Sequence, residues 1–284
     1  MGKKQGIGEQ GAPFQIIFTD LDGTLLDSQT YGWHKAAPAL NLCKRLDVPI
    51  ILVSSKTRAE MDRLRKNLSV FAPFISENGG GIFFPGEIIA PPLPGASLDK
   101  NLWKLSLGLP YSRLVRGLQE IRNELGLNIK GFSDMSIKEI SQLTGLDRED
   151  SRLAAMREYG EPFTILDKKA LDREALFKAA TVRGLTITEG GRFFHIQGNN
   201  NKGLAVEKVV SWYKQVRGNV SSIALGDSPN DFSMLERADR PILVQSERDF
   251  SELKEKIPRL KITREKGPKG WNSAVLGILD NASI

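Results

Sequence analysis

Asp20 and Asp22 stand two residues apart in Thr19-Asp20-Leu21-Asp22-Gly23-Thr24, directly after an apolar run over residues 14–18. On extended backbone this spacing sends both side chains to one side. Two carboxylates brought that close repel, so they need a cation or must share a proton. Mg²⁺ meets the first need, because it takes carboxylate and carbonyl oxygens and bridges to substrate phosphate. The bland alternative is a pair of turn aspartates capping a helix. The whole string behind an apolar strand is more specific than that.

Three further segments carry chemistry. Ser54-Ser55-Lys56-Thr57 closes a second apolar run, residues 48–53, and opens a helix. Hydroxyls and free amides at a helix start cradle phosphate. Thr57 and Glu60 form a capping box, so Thr57 is an N-cap on any reading. Lys202, in Asn200-Asn201-Lys202-Gly203, also opens a helix. There it can neutralise a phosphoryl oxygen and a nucleophile together, although a lone lysine in a polar loop is usually just solvated. Gly226-Asp227-Ser228-Pro229-Asn230-Asp231 follows a third run, residues 222–225. Pro229 suits the first helical position and Asp231 the first turn. Asp227, at the strand end, is left free to complete a metal shell.

The elements that must position these residues alternate. Strands over 14–18, 48–53, 222–225 and 242–244 are separated by helical stretches such as 38–46, and 72–84 reads as strand, glycine turn and strand. That pattern predicts an α/β fold, a Rossmann-like parallel sheet with helices on both faces. Its ligands bind beyond the carboxyl ends of the strands. A linker rich in proline and glycine, 85–95, opens a different block with helices over 112–125, 136–143, 148–159 and 172–182. Short strands over 163–166, 185–188 and 192–197 complete it, and a last helix begins near residue 271. The expected division is a core over 1–84, with 1–13 a loose leader, an inserted α+β cap over 85–192, and a second core part over 193–284.

Composition narrows the function classes. Of 284 residues, 40% are hydrophobic and 26% charged, which is ordinary for a soluble globular chain. The apolar run over 48–53 is far too short to span a bilayer, and no signal segment is read at the start. Cys43 is the only cysteine, which rules out an internal disulfide and fits a reducing cytoplasm. The net charge of +6 favours anionic ligands, but the basic residues are scattered and not interleaved with aromatics, so nucleic acid is not expected as a partner. A denser basic stretch, residues 254–269, faces either solvent or a phosphorylated substrate. The string Gly6-Ile7-Gly8-Glu9-Gln10-Gly11 mimics a dinucleotide fingerprint, but it precedes the first strand instead of following it. His34, His195 and Cys43 are too few for a usual zinc site. His195 alternates with Phe194 and Ile196 and so points away from their face, toward an interdomain cleft.

In this order the four segments resemble the haloacid dehalogenase superfamily of phosphohydrolases. The resemblance implies that Asp20 is the nucleophile and Asp22 the general acid and base. Both would bind Mg²⁺, with Asp227 as its remaining carboxylate. Ser54 and Lys202 would hold the phosphoryl group, with Ser55 in the same cradle. Asp231, with Asn230 beside it, would support the site from behind these ligands. More strings, at 20–28, 77–80, 131–136, 143–146, 190–195 and 267–271, are similar to the mannosyl-3-phosphoglycerate phosphatase family. That similarity implies a small phosphorylated glycosyl-glycerate substrate, with Lys56, Asp134, Arg192 and His195 as contacts; arginine suits a carboxylate such as glycerate's. Asn201 stands where relatives often carry aspartate, which leaves Lys202 intact. A glucosyl substrate, a broader sugar-phosphate phosphatase and a non-catalytic phospholigand-binding protein are the alternatives. No oligomeric state follows from the sequence.

Overall fold

The first apolar run becomes β1 (Phe14–Thr19), followed by α1 (Ala37–Arg45), β2 (Ile50–Val53), α2 (Arg58–Leu68), β3 (Phe74–Ser76) and β4 (Gly81–Pro85). These elements belong to a computed structural model of the chain that describes residues 12–88, 91–167, 171–189, 193–247, 250 and 253–280. The middle of the chain forms β5 (Ser97–Asp99), β6 (Leu102–Ser106), α3 (Tyr111–Leu125), β7 (Ile129–Gly131), α4 (Ile137–Thr144) and α5 (Arg148–Ala154). It continues with β8 (Gly160–Ile165), α6 (Arg173–Thr181), β9 (Thr186–Glu189) and β10 (Phe194–Gln197). The last part holds α7 (Lys202–Arg217), β11 (Val220–Gly226), α8 (Phe232–Arg237), β12 (Arg240–Gln245), α9 (Leu253–Lys256), β13 (Lys261–Lys266) and α10 (Gly267–Asp280).

A nine-stranded sheet runs β13, β12, β11, β1, β2, β3, β4, β6, β5 from edge to edge. Its first six strands are parallel, and β4, β6 and β5 extend it antiparallel. Alternate residues of each central strand feed two cores. Ile16, Phe18, Ile51 and Val53 pack against Val206 and Val209 of α7 and Met234 of α8. Ile17, Ile50 and Leu52 pack with Cys43 of α1, Met61 of α2 and Trp271 of α10. Both faces are covered, which is why these strands read as unbroken apolar runs.

A second, four-stranded antiparallel sheet runs β7, β8, β10, β9. Leu114 and Leu118 of α3 and Leu176 of α6 close one face over Phe163, Phe194 and Ile196. On the opposite face Thr188, His195 and Pro162 are register neighbours.

Sheet membership differs from the expected division in two places. Residues 97–106 join the large sheet through β4, with Phe84 opposite Trp103, and β10 belongs to the small sheet. The helix expected over 148–159 ends at Ala154. The chain leaves the helix there because the N–H groups of Glu158 and Tyr159 are taken by the buried Glu77 carboxylate at 2.9 Å each. The final helix starts at Gly267, four residues earlier than expected. The expected leader lies almost wholly outside the described residues. Among the described residues no helix is long and apolar enough to cross a membrane.

Candidate active site

β1 lies between β11 and β2, so the carboxyl ends of these three strands bring Asp20, Asp227 and Ser54 to one crevice. Asp20 is anchored at its backbone. Its N–H donates to the Leu225 carbonyl at 2.9 Å. Trp271 Nε1 donates to Thr19 Oγ1 at 2.9 Å, and that hydroxyl donates to the Asp20 carbonyl at 2.7 Å. The start of α7 delivers Lys202, whose Nζ is 2.5 Å from Asp20 Oδ1 and 2.6 Å from Asp231 Oδ1. The other Asp231 oxygen accepts the N–H groups of Asp227 and Ser228 at 3.0 Å and the Ser228 hydroxyl at 3.2 Å. Asp231 therefore spends both oxygens on holding the loop and the lysine.

The charges of this cluster do not balance. Oxygens of Asp20, Asp227 and Asp231 converge to within 4.8 Å of one another. Lys202 is the ammonium ion-paired to Asp20 and Asp231. Three carboxylates and one ammonium carry a formal charge of −2. Burial and then the Asp231 charge push the Asp20 pKa well above the usual carboxylate range, with Lys202 pulling the other way. Burial and the same neighbour push Asp227 up to about 7. Burial opposes the Lys202 charge, but Asp20 and Asp231 outweigh it and raise that pKa. A divalent cation would supply the missing charge, and the donor set would suit Mg²⁺ because every free ligand is a hard oxygen. With Asp231 committed, Asp20 and Asp227 are the carboxylates of this cluster that could hold one.

Gly23 makes this approach possible. Its φ is +87°, and a Cβ there would lie 2.7 Å from Asp227 Oδ2. Gly23→Ala is therefore expected to lower stability by about 1–3 kcal/mol and to displace the Asp227 carboxylate. Urea unfolding of the variant checks the first effect, and a raised Mg²⁺ requirement checks the second. Wild-type values in both would contradict this packing.

Asp22 sits two residues beyond Asp20, on the same cavity wall. Its Oδ2 is 3.0 Å from Lys56 Nζ, while Oδ1 is buried and has no hydrogen-bond partner among the described residues. Burial opposes the Lys56 charge, but Asp22 overcomes this and raises the pKa. Ser54 is buried, and its Oγ accepts the Lys56 N–H at 3.2 Å. Thr57 and Glu60 close the capping box that starts α2. Asn230 donates through Nδ2 to Asn78 Oδ1 at 3.2 Å, which ties the 227–231 loop to the turn after β3.

A cavity of about 520 Å³ opens over these groups, lined by Asp20, Asp22, Ser55, Asp227, Asn230 and His195 among others. His195 reaches it from the open face of the small sheet. Burial and the Arg157 charge push its pKa down to about 3, so the ring is neutral at pH 7. Asp134 does not line this cavity. Its carboxylate instead accepts the Gly131 N–H at 3.0 Å and pairs with Arg122 at 3.1 Å. Arg192 lies outside the described residues. A larger cavity, about 680 Å³, is bordered by Val48, Pro49, Ala72 and Pro73 at the amino ends of β2 and β3. Among the described residues that line it, Asp47 is the one carboxylate.

The contacts of two groups escaped the sequence reading, although the string at 77–80 was noted there for its resemblance. Glu77 and Asn78 both have positive φ, 47° and 54°, and hold the middle block and Asn230 respectively. The Asn78-Gly79 pair was the signal for that turn. Arg157 is buried between the units and donates to the Ser55 carbonyl at 2.8 Å. Nothing in its local sequence marks it.

Comparison with known proteins gives the family and the fold. Residues 17–105 match the family model for haloacid dehalogenase-like hydrolases. A glucosyl-3-phosphoglycerate/mannosyl-3-phosphoglycerate phosphatase of Methanococcoides burtonii is 39% identical over 264 residues, covering 93% of this chain and 97% of that protein. A mannosyl-3-phosphoglycerate phosphatase of Pyrococcus horikoshii is 35% identical, over 82% of this chain and 91% of its own. The structure of a haloacid dehalogenase-like hydrolase from B. subtilis superposes with a TM-score of 0.63 at 18% identity, covering 92% of this chain and 98% of that one. The fold, the strand-end carboxylates and relatives that share nearly the full length place this chain in the haloacid dehalogenase-like hydrolase family, as a phosphoric monoester hydrolase.

Proposed function

We propose that the chain hydrolyses mannosyl-3-phosphoglycerate and glucosyl-3-phosphoglycerate, releasing phosphate through a phosphoryl group carried on Asp20. One observation carries the chemical part: Asp20 is held by buried Lys202 at 2.5 Å, at the strand end beside Asp227. The relatives' substrates support the choice of leaving group. A bound Mg²⁺ would neutralise the phosphate and let an anionic carboxylate approach it.

The chain's own residues do the rest. An Asp20 carboxylate oxygen attacks phosphorus, and the bond from phosphorus to the glycerate C3 oxygen breaks. Asp22 gives that oxygen its proton. A water molecule then attacks phosphorus and passes its proton to Asp22, and the bond to Asp20 breaks. Inorganic phosphate leaves, with both carboxyl groups restored. Ser54, Ser55 and Lys202 hold the phosphoryl oxygens, and the small sheet with its helices caps the crevice and keeps bulk water away from the intermediate. Neutral His195 faces the leaving group from that cap.

Phosphate release measured side by side on the two glycosyl esters and on common sugar phosphates tests the reading. Preference for the glycosyl esters, lost in EDTA and restored by Mg²⁺, is the expected result. Mg²⁺ should also raise the melting temperature, since it binds only the folded chain. Equal turnover across unrelated sugar phosphates would replace this reading with a broad phosphatase. No turnover of any ester would leave a phospholigand-binding protein.

A further inference from the structure

The loop between the Asp20 string and α1 holds a tyrosine in a backbone conformation that tyrosine resists. Tyr31 has a φ of 55°, in the left-handed region where bulky side chains are strained. The loop is built to keep it there. Asp27 Oδ1 accepts the Gln29 N–H at 3.1 Å, and both the N–H and the hydroxyl of Thr30 at 3.0 Å. The Asp27 N–H donates to the Gly32 carbonyl and the Tyr31 N–H to the Asp27 carbonyl, each at 2.9 Å.

The side chain so held is not core. Tyr31 is 41% exposed and lines the cavity that contains Asp20 and Asp22. Lys56 Nζ lies 5.3 Å from the ring centroid and 3.0 Å from Asp22 Oδ2, so one ammonium links the ring to the acid–base carboxylate. Thr188 and His195 line the same cavity from the small sheet, where they are register partners. Their neighbours Ile187 and Ile196 point the other way, into the core under α3 and α6. The neutral imidazole offers one donor and one acceptor nitrogen, and the threonine adds a hydroxyl.

A hexopyranose ring matches these surfaces, with an apolar C–H face and a rim of hydroxyls. The aromatic ring offers the apolar contact. We propose that Tyr31 is the platform for the glycosyl ring of the leaving group, with Thr188 and His195 reading its hydroxyls. This inference rests on the glycosyl-phosphoglycerate reading above. It also accounts for the strain. Glycine is the residue this backbone prefers, so a tyrosine here serves what its ring touches.

Tyr31→Gly and Tyr31→Phe test it. The glycine variant relieves the backbone, so its melting temperature should equal or exceed that of the wild type. Its KM for the glycosyl esters should nevertheless rise about tenfold to hundredfold, with kcat carrying little of the loss. Selectivity for those esters over acetyl phosphate, which has no ring to stack, should fall by a similar factor. Tyr31→Phe keeps the ring and should recover the wild-type KM to within about threefold. A glycine variant with wild-type KM overturns the proposal. So does an equal loss on acetyl phosphate and on the glycosyl esters. A wild-type enzyme that does not prefer glycosyl esters to acetyl phosphate instead overturns the functional reading, and the platform with it.

Discussion

Asp20→Asn should lower turnover by at least about 10³-fold while the chain still folds. The amide keeps the shape of the carboxylate but cannot attack phosphorus. It also removes one of the three negative charges around Lys202, so affinity for a divalent cation should weaken together with the chemistry. The fold should survive because Lys202 keeps Asp231 as a partner at 2.6 Å, and the Asp20 backbone bonds do not involve its side chain. Phosphate release at saturating Mg²⁺ measures the first effect, and circular dichroism with thermal melting measures the second. Near-wild-type turnover would refute the nucleophile assignment.

The residues proposed to carry the chemistry were legible because they sit at strand ends. A strand buried on both faces shows as an apolar run, and the first polar residues after it fall at the crevice. Asp20, Ser54 and Asp227 were readable in this way. Lys202 was readable only as a helix opener, and the structure supplied its second partner, Asp231. Other features depend on contacts distant in sequence. β13 carries charged residues at Lys261 and at Arg264, Glu265 and Lys266, on a sheet edge, so it read as a basic stretch. β5 and β6 are short, and only the pairing of β6 with β4, and of β5 with β6, makes them part of the large sheet. Asp134 looked like a substrate contact in the sequence, yet its carboxylate closes a local turn. Tyr31 could not be singled out, because its significance is a backbone angle and a cavity wall. Neither leaves a periodic trace.

Lys202→Met should be both inactive and destabilised, and the pH dependence of that loss identifies its cause. Lys202 is 1% exposed, and its ammonium is the cation ion-paired to both Asp20 and Asp231. Methionine nearly preserves the volume but leaves two buried carboxylates facing each other. Removing one partner from a buried ion-paired group costs about 3–5 kcal/mol. Asp20 already has its pKa raised by burial and by Asp231, with Lys202 holding it down. Without the lysine it rises further. A carboxylate with a raised folded-state pKa binds a proton that the unfolded chain, at about 3.9, does not yet hold. Stability of the variant therefore gains as pH falls from 7 toward 5, and its deficit against the wild type should shrink over that interval. Urea unfolding of both proteins in EDTA at pH 5 and pH 7 measures this, and taking the difference cancels the carboxylates they share. A deficit equal at both pH values would mean that the lysine contributes packing and not charge. A stable variant with full turnover would remove Lys202 from the site altogether.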